Sequence, residues 1–168
     1  KREFTRATGR RRGDSNSGYE FFNAIGQENN ILCESAGGKS NIFSKLQSIG
    51  QETVCVIADG AAIGPEMNRL YEITERKSNI VLYFPESFEW LILKSGLVTD
   101  GDIKTILQEP EEYIESKDYF SWERYFTKLL IERTQDTYLQ YQKTKLNPVY
   151  LHDKIKHTII SVMQGIIL

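Results

Sequence analysis

The sequence predicts an α/β fold, in which a parallel sheet in a three-layer, Rossmann-like arrangement is followed by a helical C-terminal extension. Three short apolar runs alternate with segments whose apolar residues recur at helical spacing: NNILCES (29–35), ETVCVIADG (52–60) and NIVLYFPES (79–87). Near-continuous apolar strands are typical of a sheet that helices cover on both faces. Such sheets bind ligands beyond the carboxyl ends of their strands.

Four helices are predicted to accompany these strands, over residues 13–27, 41–50, 64–76 and 87–96. The first can be capped by Asp14, Ser15 or Ser17, because short polar side chains accept hydrogen bonds from the first turn. Pro65 stands at a suitable position in the first turn of the third helix, and Gly96 closes the fourth.

The pattern changes at about Asp100, and the rest of the chain reads as helical. A short helix broken at Pro110 is followed by a long amphipathic helix over residues 121–143 and by another over 147–168. We therefore expect three parts: a basic arm (1–12), an α/β core (13–99) and a helical extension packed on that core (100–168).

Charge is distributed unevenly along the 168 residues. The first twelve hold six of the 21 Lys and Arg but only one of the 23 Asp and Glu, which leaves 15 basic against 22 acidic residues in the remainder. A basic arm can contact the phosphates of a nucleic acid. It can equally be a solvated tail or the end of an upstream segment, and the sequence leaves both interpretations open.

Cysteine content and hydropathy indicate a cytoplasmic protein. Cys33 and Cys55 both lie within apolar runs, which favours buried free thiols in a reducing compartment over a disulfide framework. No apolar run is long enough to cross a bilayer and no signal peptide is visible, so no membrane partner is expected. The apolar residues 165–168 (GIIL) suggest a contact with a second copy or with another domain.

The stretch ILCESAGGKSNIFSKL (31–46) resembles a phosphate-binding loop. Gly38, Lys39 and Ser40 precede a predicted helix, where backbone N–H groups and a lysine can hold phosphate. The usual first glycine is replaced by Cys33, a side chain where a tight loop needs none. A nucleotide-binding protein that uses these three residues is one of the hypotheses that the sequence allows.

Acidic residues follow the predicted strands. Asp59 ends the second apolar run, and Glu66 falls in the first turn of the next helix. Carboxylates gathered at strand ends suit Mg²⁺ or Mn²⁺, which can activate water and stabilise charge on a phosphodiester. The alternative is that these acids cap helices and interact with their positive ends.

The order of these features over residues 13–96 resembles a Toprim domain, most closely that of the OLD-family (overcoming lysogenization defect) nucleases. The segments that carry the resemblance are SAGGKSNIFSKL, VIADGAAIG and IVLYFPESFEWLIL. In that family a glycine-lysine turn follows one strand, an Asp-x-Asp motif the next, and a Glu-bearing helix comes after a further strand. The matching positions here are Gly38-Lys39, Asp59 and Glu89.

The resemblance implies a Mg²⁺- or Mn²⁺-dependent phosphodiester hydrolase that acts on nucleic acid and is linked to an upstream ATPase domain. Asp59 and Glu89 would be metal ligands, with Asp14 and Glu66 as further candidates, and Lys39 would stabilise the phosphate.

Two positions depart from the family pattern. Asp14 is the nearest acid to the expected first glutamate, and Ala61 replaces the second aspartate of Asp-x-Asp. A non-catalytic regulatory or interaction module is therefore the principal alternative.

Overall fold

The computed structural model describes residues 2–7, 16–114 and 122–164, with the backbone alone at residues 2–7, 61 and 62. The described residues form a mixed α/β structure, as the sequence predicts. Four parallel strands make up its sheet in the order β2-β1-β3-β4: β1 (Arg2–Ala7), β2 (Leu32–Ser35), β3 (Thr53–Ala58) and β4 (Ile80–Tyr83).

The first strand lies where the sequence predicts a basic arm, and this corrects the prediction for residues 2–7. Phe4 pairs with Cys33 of β2 on one side and with Cys55 of β3 on the other, so β1 is an interior strand. The segment has few apolar residues, but strand pairing uses backbone N–H and C=O groups that every non-proline residue supplies. The remaining arm residues, and Asp14, lie outside the described residues.

Eight α-helices are described: α1 (Ser17–Glu28), α2 (Lys39–Ser48), α3 (Gly60–Ile63), α4 (Met67–Arg76), α5 (Phe88–Lys94), α6 (Ile103–Gln108), α7 (Trp122–Thr134) and α8 (Asp153–Ile160). Short 3₁₀ turns cover Gly64–Glu66, Pro110–Glu112 and Pro148–Leu151. The helix predicted over 64–76 therefore begins with a 3₁₀ turn and becomes α-helical at Met67, and the short helix α3 precedes it.

Among the α-helices whose preceding residue is described, α1 and α5 begin with a side-chain cap. The Asn16 carboxamide oxygen accepts from the Tyr19 amide at 2.9 Å, so the cap of α1 is Asn16 rather than the predicted Asp14, Ser15 or Ser17. The Ser87 hydroxyl accepts from the Trp90 amide at 3.1 Å and fixes the start of α5. Each cap satisfies a first-turn amide that has no partner within its helix.

The long helix predicted over 121–143 ends at Thr134. The buried Thr134 hydroxyl donates to the Leu130 carbonyl at 2.7 Å and accepts from the Tyr141 amide at 3.0 Å, which turns the chain back on itself. Asp136 has φ 58°, a left-handed backbone conformation that a right-handed α-helix cannot contain. The chain after Thr134 therefore leaves the helix axis, and Leu139, Tyr141 and Leu146 pack into the hydrophobic core.

Two hydrophobic clusters lie on opposite sides of β3. Val54, Val56 and Ala58 pack with apolar residues of α2 and α4, whereas Ile57 packs with α1, α5 and the extension. Alternation along a strand places successive side chains on opposite faces of a sheet. The extension thus shares a core with α1 and α5.

Cys33 and Cys55 are free thiols, as predicted, and burial raises the pKa of Cys55 to about 12.

No helix within the described ranges has the length and hydropathy to cross a lipid bilayer.

Replacing Thr5 with proline tests the interior position of β1. Thr5→Pro removes a ladder amide between Glu34 of β2 and Val56 of β3, and proline is not tolerated within a sheet paired on both sides. We expect the free energy of unfolding, measured by urea denaturation, to fall by about 1–3 kcal/mol. This is the cost of leaving the buried carbonyl that the Thr5 amide bonds without a donor. Thr5→Val keeps the amide and should stay near wild type. Equal stability of both variants would contradict this strand.

Candidate functional site

The strand order places a crevice at the carboxyl ends of β1 and β3. The chain passes from β1 outward to β2 and then returns across β1 to β3, so the direction of winding reverses between β1 and β3. Sheets of this kind bind ligands outside the carboxyl ends of the strands at that reversal. Asp59 follows the last residue of β3 directly and is partly exposed. Of the predicted site residues that are described, Asp59 is the one beside this reversal.

The turns after β3 and β4 are joined at this edge. The Gly60 amide donates to the Pro85 carbonyl at 2.7 Å, and a Cβ at Gly60 would stand 3.1 Å from the Phe84 carbonyl oxygen. The glycine therefore permits the close approach of two backbones. This contact fixes Asp59 relative to the start of α5, where Glu89 lies.

The Gly38-Lys39-Ser40 turn lies at the same edge but on the outer strand. Gly37 and Gly38 have φ 71° and 142°, and α2 begins at Lys39 with no side-chain cap. Lys39 and Ser40 are both exposed. Because β1 separates β2 from β3, this turn is two strand spacings, about 10 Å, from the turn that carries Asp59.

Glu89 is buried and already has partners. Its side chain, only 3% exposed, accepts a hydrogen bond from the Tyr141 hydroxyl at 2.7 Å, and its Oε1 lies 3.6 Å from Lys143 Nζ. Both partners come from the C-terminal extension. The acid that the resemblance assigns to a metal is therefore held in a polar contact between the core and the extension.

Lys143 is the centre of this contact. Its ammonium also donates to Glu123 and, at 3.3 Å, to the Thr127 hydroxyl, both on α7. Burial lowers the pKa of Lys143, but the charges of Glu89, Glu123 and Asp59 and the hydrogen bond that Lys143 donates to Glu123 together raise it above its usual value. The side chain is therefore charged at neutral pH, and Asp59 is within its electrostatic reach.

Residues 141–146, which we call the strap, contact the first turns of α1 and α5. The Ser17 amide donates to the Lys143 carbonyl at 2.9 Å, the Ser17 hydroxyl donates to the Gln142 carbonyl, and the Leu146 amide donates to the Glu20 carboxylate at 2.7 Å. These contacts join the strap to the first turn of α1, which follows β1. Through Glu89 the strap also contacts α5, which follows β4.

The remaining predicted acids are not brought into this arrangement. Glu66 pairs with Arg69 at 3.3 Å at the start of α4, and Asp14 lies outside the described residues. Within the described part of the chain, no group of three or more His, Cys, Asp and Glu side chains is arranged to hold a metal ion. The assignment of Mg²⁺ or Mn²⁺ to Asp59, Glu89, Asp14 and Glu66 stays a prediction.

Sequence reasoning missed Tyr141, Lys143 and Glu123, because all three were assigned to one continuous helix. A local signal was present: three of the residues 134–137 (TQDT), the two threonines and the aspartate, are poor helix formers, and Asp136 tolerates a left-handed conformation. Ending the helix there would have separated Tyr141 and Lys143 from Glu123. Which distant side chains they then meet depends on packing and leaves no local pattern.

No protein-family model, curated protein or solved structure matches this chain. The resemblance to Toprim domains stays a prediction.

Tyr141→Phe tests the polar contact that holds the strap. The variant keeps the buried ring but removes the hydroxyl that Glu89 accepts from, so we expect a loss of about 1–3 kcal/mol in the free energy of unfolding. Tyr138→Phe is the matched control, because Tyr138 is 70% exposed and should change stability by less than about 0.5 kcal/mol. Equal effects of the two variants in urea denaturation would contradict the role of the Tyr141 hydroxyl.

Proposed function

We propose that this chain is a non-catalytic, Toprim-like module that binds nucleic acid through its phosphates as part of a larger, ATPase-linked protein. The observation that carries the proposal is the strap. The side chain of Glu89 is occupied by Tyr141 and Lys143, and the strap lies at the edge where an active site of this fold would be.

The proposed fold is a three-layer, Rossmann-like one. Its support is the set of four parallel strands and the two hydrophobic clusters that receive alternate residues of β3. The Toprim assignment rests on the glycine-lysine turn after β2, on Asp59 after β3 and on Glu89 after β4, which keep the family order along the chain.

The acids support binding over hydrolysis. Two-metal phosphodiester chemistry needs several oxygen ligands for each ion. Of the acids that the resemblance supplies, Glu89 is satisfied within the protein, and Ala61 stands where the family has a second aspartate. Asp59 is left as the principal acid at the winding reversal, and it lies within the electrostatic reach of an ammonium.

The nucleic-acid partner is proposed from the exposed turn at the start of α2. Lys39 and Ser40 are exposed there, and the first amides of a helix carry partial positive charge that favours phosphate. Such contacts give affinity that is independent of base sequence and depends strongly on salt. The same residues could bind the phosphates of an adenine nucleotide instead. In that case an adenine nucleotide would compete with nucleic acid for the protein.

A Mg²⁺-dependent phosphodiester hydrolase is the second candidate. The position of Asp59 beside the winding reversal favours it, because ligands of such sheets bind there. In that case Asp59 would hold the metal ion and Lys39 would contact the phosphate. This candidate makes Asp59 essential for cleavage, whereas the module that we propose cleaves nothing.

The proposal is tested by measuring binding and cleavage on the same preparations. We expect wild-type protein to shift a labelled DNA duplex in a gel and to leave supercoiled plasmid intact with Mg²⁺ or Mn²⁺ as well as with chelator. Lys39→Ala should weaken binding and lower the salt dependence by about one phosphate contact. Lys104→Ala, at an exposed lysine of α6, is the matched control and should bind as wild type does.

Two results would overturn this function. Nicking that requires a divalent metal and disappears in Asp59→Ala would establish the hydrolase instead. Absence of any shift with duplex or single-stranded DNA or RNA would remove nucleic acid as the partner.

A further inference from the structure

Lys143 occupies the position of a cation among oxygen ligands. Its Nζ lies 3.6 Å from Glu89 Oε1 and 3.3 Å from Thr127 Oγ1, and it donates to Glu123 Oε1. Two carboxylates and a hydroxyl thus surround one ammonium. Carboxylate and hydroxyl oxygens are also the ligands that Mg²⁺ and Mn²⁺ prefer in proteins.

The charges around this ammonium are unbalanced towards negative. Glu89 and Glu123 contact it, and Asp59 acts on it from the turn after β3. Glu89 is nearly inaccessible to water, so its charge needs a close positive partner. Lys143 is therefore a cation that Glu89 and Glu123 share.

We propose that Lys143 is a built-in cation that takes the place of a divalent metal ion at the acidic edge of the sheet. The inference rests on the proposed function and deepens it, because it gives a reason why Glu89 and Glu123 would not hold a divalent ion. An ammonium and a divalent cation repel each other and cannot share Glu89 and Glu123. The lysine therefore excludes Mg²⁺ and Mn²⁺ from these carboxylates.

Lys143 belongs to the strap, so the position of its ammonium depends on the position of the strap. The Lys143 carbonyl accepts from the Ser17 amide while its ammonium contacts Glu89 and Glu123. One residue thus joins α1, α5 and α7. Movement of the strap away from the edge would remove the positive charge and expose the carboxylates at the same time.

Removing the charge tests the inference directly. Lys143→Met keeps most of the length of the side chain but leaves Glu89 and Glu123 without their cation. We expect this variant to bind Mn²⁺ at least tenfold more tightly than wild type, measured by the loss of the free Mn²⁺ paramagnetic resonance signal on the full chain. Mn²⁺ should also raise the unfolding temperature of the variant and leave that of wild type unchanged, because a ligand of the folded state stabilises it.

Three controls separate charge from other effects. Lys143→Arg keeps a positive charge and should show no gain in Mn²⁺ binding. Lys145→Met, at an exposed neighbour outside the cluster, should behave as wild type. Adding Glu89→Gln to Lys143→Met should remove the gain. If Lys143→Met does not give a folded circular-dichroism spectrum, Lys143→Gln, which restores a polar end group, is measured in its place.

The inference is overturned if wild type binds Mn²⁺ as tightly as the charge-removing variant, or if a folded variant gains nothing. Neither result bears on the gel shift, so the built-in cation can fail while nucleic-acid binding stands. Metal-dependent nicking by wild type would overturn both.

Discussion

A carboxylate removed from water needs partners, and the buried side chain of Glu89 imposes this condition on the structure. Removing one partner of a buried charge costs several kcal/mol, on the order of 3–5, because the remaining charge is left uncompensated. The core supplies the acid at the start of α5, and the extension supplies the Tyr141 hydroxyl and the Lys143 ammonium. The two parts of the chain that the sequence separates at residue 100 are therefore joined by charge as well as by a common hydrophobic cluster.

The path of the chain after α7 follows from this condition. Had the helix continued to residue 143 as predicted, Tyr141 and Lys143 would lie about two to three turns beyond Thr134 along the helix axis. They would then be too far along the helix to contact Glu89 as they do here. The turn at Thr134 returns the chain, and the Tyr150 hydroxyl, which donates to the Leu139 carbonyl at 2.6 Å, holds the returning segment. The strap thus lies beside the edge at which sheets of this kind bind ligands and occupies the side chain of Glu89 there. This is why we favour a binding module over a hydrolase.

Local patterns in the sequence predicted the parts of the fold that depend on short-range order. The strands β3 and β4 were predicted from their continuous apolar and β-branched residues, β2 from the short apolar run within residues 29–35, and α5 from its apolar residues before Gly96. The strand β1 was missed because only Phe4 and Ala7 of its six residues are apolar, and its pairing with β2 and β3 leaves no apolar pattern in the sequence. Asp59 was correctly placed at a strand end. The partners of Glu89 lie more than fifty residues away along the chain and have no signature in sequence.

Hydrogen exchange at the Ser17 amide tests the central claim, that the strap is held against the start of α1 at the carboxyl edge of the sheet. This amide lies in the first turn of α1, where an uncovered helix exchanges rapidly, and here it donates to the Lys143 carbonyl at 2.9 Å. We expect it to be protected to nearly the same extent as core amides of β3, and to lose that protection in Tyr141→Phe more than in Tyr138→Phe. Exchange of the Ser17 amide in wild type at the rate of an unstructured chain would contradict a strap that is held against α1.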